Sequence, residues 1–134
     1  SMTGIYQGNL RTEVTHLRSG NRIITDAPPD NNGKGEAFSP TDLTCASLNS
    51  CMMTLMGMLA QRENISLKGL RSEIVKVMAS NPRRIAEIHV ELDFGDNKFT
   101  KEEYGQLERL AHACPVAHSI SKDIKIVTNF DSFK

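Results

Sequence analysis

The spacing of hydrophobic positions changes along the chain, and each change marks an element. From Ile5 to Leu17 the apolar residues Tyr6, Leu10, Val14 and Leu17 are interleaved with Thr12 and Thr15, a short strand-like pattern. Ser19-Gly20-Asn21 is a turn signal, and Arg22 to Thr25 (RIIT) reads as the returning strand of a hairpin. Residues 26 to 38, DAPPDNNGKGEAF, combine prolines, glycines and Asn/Asp residues and predict an irregular connection. Such a loop just ahead of a buried helix either lines a site or simply connects, and its composition leaves both readings open.

The next stretch organises the chain. Phe38 to Asn64 opens with Ser39 as N-cap, Pro40 in the first helical position and Asp42 three residues after the cap. Serine offers an oxygen to the orphan amides, proline fits the first turn, and the acid suits the positive end of the helix dipole. An almost uncharged run follows through Ala60, closed by Gln61-Arg62-Glu63-Asn64. A helix apolar on most sides is expected to be buried on most sides. The run approaches membrane-span length, but Thr44, Ser47, Asn49, Ser50, Thr54 and Gly57 within it favour the central helix of a folded domain over a span.

Downstream, Leu67, Leu70, Ile74, Val75 and Val77 predict a strand over about residues 68–80, and Asn81-Pro82 a turn. Ile85 to Phe94 alternates cleanly, with Ala86, Ile88, Val90, Leu92 and Phe94 on one side and a mostly polar set on the other. That is the pattern of an antiparallel strand buried on one face. Thr100 with Glu102 and Glu103 starts a second helix whose stripe is Tyr104, Leu107, Leu110 and Ala111. Cys114-Pro115 predicts a short third helix, and the segment from Asp123 a final strand. The expected order is β-β-α-β-β-α-α-β, an α+β fold in one domain covering residues 1–134.

Composition narrows the function. The 134 residues carry 16 Lys+Arg against 16 Asp+Glu, so there is no electrostatic footprint for nucleic acid. The N-terminus lacks the charged and apolar regions of a signal peptide, and three cysteines do not form a secreted disulfide framework. A cytoplasmic protein with reduced or redox-active thiols fits best.

Cys45 and Cys51 lie in the long helix and Cys114 in the later segment HACPVAHS. Six residues along a helix separate Cα atoms by roughly 9 Å and side chains by about 120°. A disulfide needs Cα atoms within about 7 Å, so an intact helix forbids a Cys45–Cys51 bond. A redox pair must therefore include Cys114. Ahead of Pro115 it occupies an N-cap position, where free amides lower a thiol pKa. Cys51, in mid-helix, reads on spacing alone as a small core hydrophobe, unless another segment brings it a cation. His112 and His118 with the cysteines show no zinc spacing, and no phosphate loop or dinucleotide fingerprint occurs, so no metal or cofactor is expected. His16 and His89 read as strand-surface residues with no evident partner.

The segments FSPTDLTCASLNSC, NPRRIAEIHVELDF and HACPVAHSISKDIKI, in this order, resemble the OsmC/Ohr family of organic hydroperoxide reductases and osmotically induced proteins. The likeness runs from about Leu10 to near the end of the chain. It implies an α+β fold with antiparallel sheets around a long buried central helix, forming an intertwined homodimer. It also implies thiol peroxidase chemistry, with Cys51 at the peroxidatic position and Cys114 at the resolving position. Expected partners are an organic hydroperoxide and a dithiol reductant, a lipoyl group in the hydroperoxide-reductase branch, with neither nucleic acid nor membrane. Apolar surroundings such as Met52, Met56 and Phe38 would favour organic peroxides. The family's activating arginine falls nearest to Arg11, with Arg18 and Arg22 as fallbacks, and its guanidinium would stabilise the Cys51 thiolate. Read without the resemblance, Arg11 is an exposed strand arginine.

One departure matters. Hydroperoxide-reductase members carry a glutamate directly after the helix proline, where this chain has Thr41. Asp42 beside it is shorter and rotated by about 100°, and completing the capping box is its more natural role. Cys45 has no family role and reads as core. The departure keeps two alternatives open: a redox-sensing or small-molecule-binding relative, and a dimerisation module with inert cysteines.

Overall fold

A computed structural model of the protein describes residues 1–130. The chain forms two compact units, one from Ser1 to Thr44 and one from Cys45 onward.

The first unit is a three-stranded antiparallel sheet of β1 (Met2–Gly8), β2 (Arg11–His16) and β3 (Arg22–Asp26), in that order. The stretch from Ile5 to Leu17 is therefore not one strand. The chain reverses at Asn9 and Leu10, both left-handed at φ 55° and 63°, a tight turn matched to the twist of the flanking strands. Leucine rarely takes that conformation, so the composition of the stretch conceals the hairpin. The register sets Arg11 opposite Asp26 and Val14 opposite Ile23.

This unit is built inside out. Its buried residues are Thr25, Asp26 and Ser39, while Ile5, Tyr6, Leu17, Ile23 and Ile24 stay exposed. The loop after β3 folds tightly on itself around a 3-10 turn at Pro29–Asn31. The Gly35 amide donates to the Ala27 carbonyl, and a Cβ at Gly33 would overlap that carbonyl oxygen, so only glycine fits. Helix α1 (Pro40–Glu63) begins where the cap residues predict. The Asp42 amide donates to Ser39 Oγ (3.1 Å) and the Ser39 amide to Asp42 Oδ2 (3.0 Å), a reciprocal capping box.

The second unit contains the hydrophobic core. From Cys45 onward α1 buries Cys45, Leu48, Met52, Met56 and Leu59, spaced three or four residues apart along one stripe. The stripe clusters with Ile85, Ile88, Val90, Leu92 and Phe94 of the sheet region and with Leu107 and Ala111 of α2 (Lys101–His112). Full burial of each large side chain stabilises by about 1.5–3 kcal/mol. The helix has the length and composition of a membrane span, yet its stripe is packed into this core. It is not buried on most sides within the chain: Met58 is 57% exposed.

The sheet runs β4 (Arg71–Ala79), β5 (Arg84–Asp93) and β6 (Lys125–Asn129). β4 and β5 are antiparallel, but β6 lies parallel to β5, which corrects the all-antiparallel expectation. A strand reached by a crossover through α2, rather than by a hairpin, is free to pair parallel. α2 starts with a full capping box between Thr100 and Glu103. The expected third helix is absent: residues 115–120 form a run of turns, with Ser119 donating through its hydroxyl to the Pro115 carbonyl (2.7 Å). The two helices and two three-stranded sheets make an α+β fold.

Candidate active site

Two elements of the second unit deliver its thiols to one place. α1 carries Cys51 one residue before the buried Met52, which turns its side chain about 100° off the core stripe and leaves it half-buried. α2 closes at Ala113, whose amide donates to the Leu110 carbonyl, and the next residue is Cys114, fully buried. The Cys114 thiol lies within hydrogen-bonding reach of Cys51. Both are free thiols. Residues far apart in sequence thus meet because α1 and α2 pack on the same sheet. Cys45 belongs to the core stripe at 3% exposure.

The electrostatics of Cys114 differ from the N-cap expectation. Burial pushes its pKa up, and the hydrogen bond to Cys51 and negative charge on the Cys51 sulfur push in the same direction. The Ala117 amide does donate to Cys114 Sγ (3.3 Å), as an N-cap would receive it, and pulls the other way. Desolvation is the larger effect, because a buried thiolate loses more hydration than the Ala117 and Val116 amides restore. Cys114 is therefore held as a protonated thiol beside Cys51.

Arg11 lies in the first unit. Its Nε and one Nη donate to the two carboxylate oxygens of Asp26, both at 2.7 Å. The Glu36 carboxylate stands 3.6 Å from the same guanidinium. Asp26 is fully buried and Arg11 27% exposed, so Arg11 is not the exposed strand arginine of the bland reading. Their charges reinforce one another: the hydrogen bond to Arg11 holds the Asp26 carboxyl below the usual range, and Asp26 raises Arg11. Of the fallback residues, Arg22 pairs with Glu13 at 3.7 Å and is 69% exposed.

Met52 and Met56 are fully buried in the core and offer no open wall, whereas Phe38, in the first unit, is 55% exposed. His16 and His89 have partners that the sequence did not reveal, Ser19 and Glu87. His112 bonds Thr128 Oγ1 (3.0 Å). Among the described residues no group of three or more His, Cys, Asp or Glu side chains is placed to hold a metal ion. Asp26 is the residue that sequence reasoning missed, since only the β2–β3 register reveals that it faces Arg11.

Known proteins carry the same arrangement of elements. Residues 33–129 match the family model described as OsmC-like protein. A solved structure from Psychrobacter arcticus, of a protein named for osmotic stress induction and detoxification response, is 46% identical. The match covers 96% of this chain and 93% of that one, with a TM-score of 0.93. An OsmC-like protein of unknown function from Vibrio cholerae superposes at a TM-score of 0.81 with 17% identity, covering 97% of each chain. An organic hydroperoxide resistance protein from Legionella pneumophila reaches 0.68 with 18% identity, covering 97% of this chain and 96% of that one. At those identities the last two show the fold alone. No curated protein matches the chain.

Proposed function

Because the chain belongs to the OsmC-like protein family, we propose that it is a cytoplasmic thiol peroxidase that reduces organic hydroperoxides to alcohols. The observation that carries this reading is the Cys51–Cys114 contact: a half-buried thiol with a buried, protonated thiol against it. Names given to relatives, among them organic hydroperoxide resistance proteins, support the substrate class.

In the proposed reaction the Cys51 thiolate attacks the terminal oxygen of the hydroperoxide. The O–O bond breaks, the alkoxide leaves and takes a proton from water, and Cys51 becomes a sulfenic acid. Cys114 then gives up its proton and attacks the Cys51 sulfur. Hydroxide leaves as water and a Cys51–Cys114 disulfide forms. A dithiol, such as a lipoyl group, returns both electrons by exchange and is itself oxidised to a disulfide. The resemblance gives Arg11 the role of the cation that favours the thiolate. No cofactor or metal takes part.

A second copy of the chain is part of the proposal. A three-stranded sheet whose buried groups are polar and whose Ile5, Tyr6, Ile23 and Ile24 are exposed lacks a hydrophobic face of its own to bury. The exposed Met58 of α1 adds to the apolar surface that a homodimer would cover.

The chemistry is tested by adding one equivalent of cumene hydroperoxide to the reduced protein and mapping disulfides by mass spectrometry. A Cys51–Cys114 bond supports the reading. Recovery of both thiols unchanged overturns it and leaves a small-molecule-binding member of the family.

A further inference from the structure

We propose that the cleft between the C-terminal halves of α1 and α2 binds a small organic monocarboxylate. Arg62 and Arg109 would hold its anionic head, and Leu59, Leu110 and Ala113 its short apolar body. The site belongs entirely to the second unit and does not rest on the peroxidase reading. Arg62 stands roughly 16 Å along the helix axis from Cys51. Neither thiol lines the cleft.

The charge of the cleft follows from the sequence. On a helix an arginine pairs with acids three or four residues away. Around Arg109 those positions are Gly105, Gln106, His112 and Ala113, none of them acidic. Around Arg62 they are Met58, Leu59, Ile65 and Ser66, again without an acid. Arg62 meets only its neighbour Glu63, at 3.5 Å, and those side chains are 71% and 48% exposed. A pair so open to water is weak, and an incoming anion can replace it. Among the described residues no acid pairs with Arg109. Other arginines of the chain do have acids: Arg11 has Asp26, Arg22 has Glu13 and Arg71 has Asp93. The cleft therefore keeps two guanidinium groups for a ligand, and the Gln106 amide adds a neutral donor.

Gly105 gives Arg109 its place. Glycine inside a helix is destabilising relative to alanine, and no positive φ calls for one here. A Cβ at this position would stand 3.2 Å from Arg109 Nη1, tighter than ordinary van der Waals contact. The missing side chain lets the guanidinium lie back along α2, the direction in which helical side chains lean.

Size and polarity select the ligand. The cleft encloses about 260 Å³. An apolar cavity of about 150 Å³ takes a benzene ring, so the remainder accommodates a carboxylate. A bare inorganic anion would leave Leu59 and Leu110 uncovered, and a neutral hydrocarbon would leave both guanidinium groups unpaired. A planar carboxylate matches the arginine fork through two parallel hydrogen bonds.

The test is a titration of the reduced, isotope-labelled full chain with benzoate, followed by amide NMR shifts. Saturable shifts are expected at residues 59–62 and 106–113, with a dissociation constant at or below about 1 mM. Benzyl alcohol keeps the ring without the charge, and inorganic phosphate the charge without the ring. Each is expected to bind at least about tenfold more weakly than benzoate. Arg109→Gln, at an exposed position, should weaken benzoate by about tenfold with an unchanged thermal melt. Gly105→Ala should weaken it several-fold while the melting temperature holds or rises, since alanine favours the helix. A merely structural role would move affinity and stability together.

Benzoate at about 10 mM that shifts no amide of the cleft overturns the site. So do shifts centred on Cys51 and Cys114 instead. Equal binding of benzyl alcohol or of phosphate overturns the ligand class. Undiminished affinity in Arg109→Gln overturns the role of the arginines. No arm reads peroxide consumption, so failure here and failure of the peroxidase reading are separate results.

Discussion

The Cys114 thiol is fully buried against Cys51, and the Ala117 amide donates to its sulfur at 3.3 Å. Burial and the neighbouring sulfur hold it protonated, above the ordinary thiol pKa of about 8.5. The two thiols are thus prepared differently. A half-buried sulfur can meet a reagent, whereas a buried and protonated one is kept in reserve.

Alkylation should reveal that difference. At neutral pH iodoacetamide is expected to modify Cys51 before Cys114, by at least about tenfold in rate, since only the thiolate reacts. Peptide mass spectrometry over a time course measures the order. Equal rates at both sites would mean that Cys114 is neither buried nor held protonated.

The Arg11–Asp26 clamp predicts an acid limb in stability. Asp26 has a lowered pKa in the folded protein, so between that value and the ordinary carboxylate pKa of about 3.9 the unfolded chain binds the extra proton. The stabilisation is fully present above the ordinary range and disappears as pH falls through the lowered value. Thermal midpoints across this range are expected to drop less steeply in Asp26→Asn than in the natural protein. Parallel slopes would show that the carboxylate titrates normally.

The aromatic cluster of the second unit carries a stability prediction. Phe94 is fully buried and packs edge-on against Phe99 (5.2 Å) and Tyr104 (5.8 Å) and stacks on Phe130 (6.1 Å). Phe94→Ala should cost about 3–5 kcal/mol in urea unfolding, because three rings lose their common neighbour. A loss below about 1 kcal/mol would mean that the rings do not share a core.

How much of this was legible in the sequence depends on the range of the forces involved. The starts of both helices were, because Ser39, Pro40 and Asp42, and Thr100 with Glu103, act on amides within one turn. β5 was from Ile88 onward, because alternation from Ile88 to Phe94 reports one buried face directly; at its start Ile85, not Ala86, is the buried residue, where the pairing with β4 shifts register. The first hairpin was not, since its turn places Leu10 at positive φ, which no local preference predicts. Nor was the parallel pairing of β6, which follows from the path of α2. At the candidate site, the thiol pair was named from a family resemblance, and geometry alone required only that Cys114 be one member. The protonated state of Cys114 was not legible, because N-cap amides are local and burial is not. Nor was the Arg11–Asp26 pair, for the same reason: the bond exists only once β2 and β3 are in register.

The central claim is that Cys51 reacts with peroxide and Cys114 completes the cycle. Consumption of cumene hydroperoxide under a dithiol reductant tests it most directly, comparing the natural protein with Cys51→Ser and Cys114→Ser. The account predicts sustained turnover by the natural protein, none by Cys51→Ser, and a single stoichiometric reaction by Cys114→Ser when the dithiol is withheld. Turnover that survives Cys51→Ser, or no consumption by the natural protein with a competent dithiol, would contradict it.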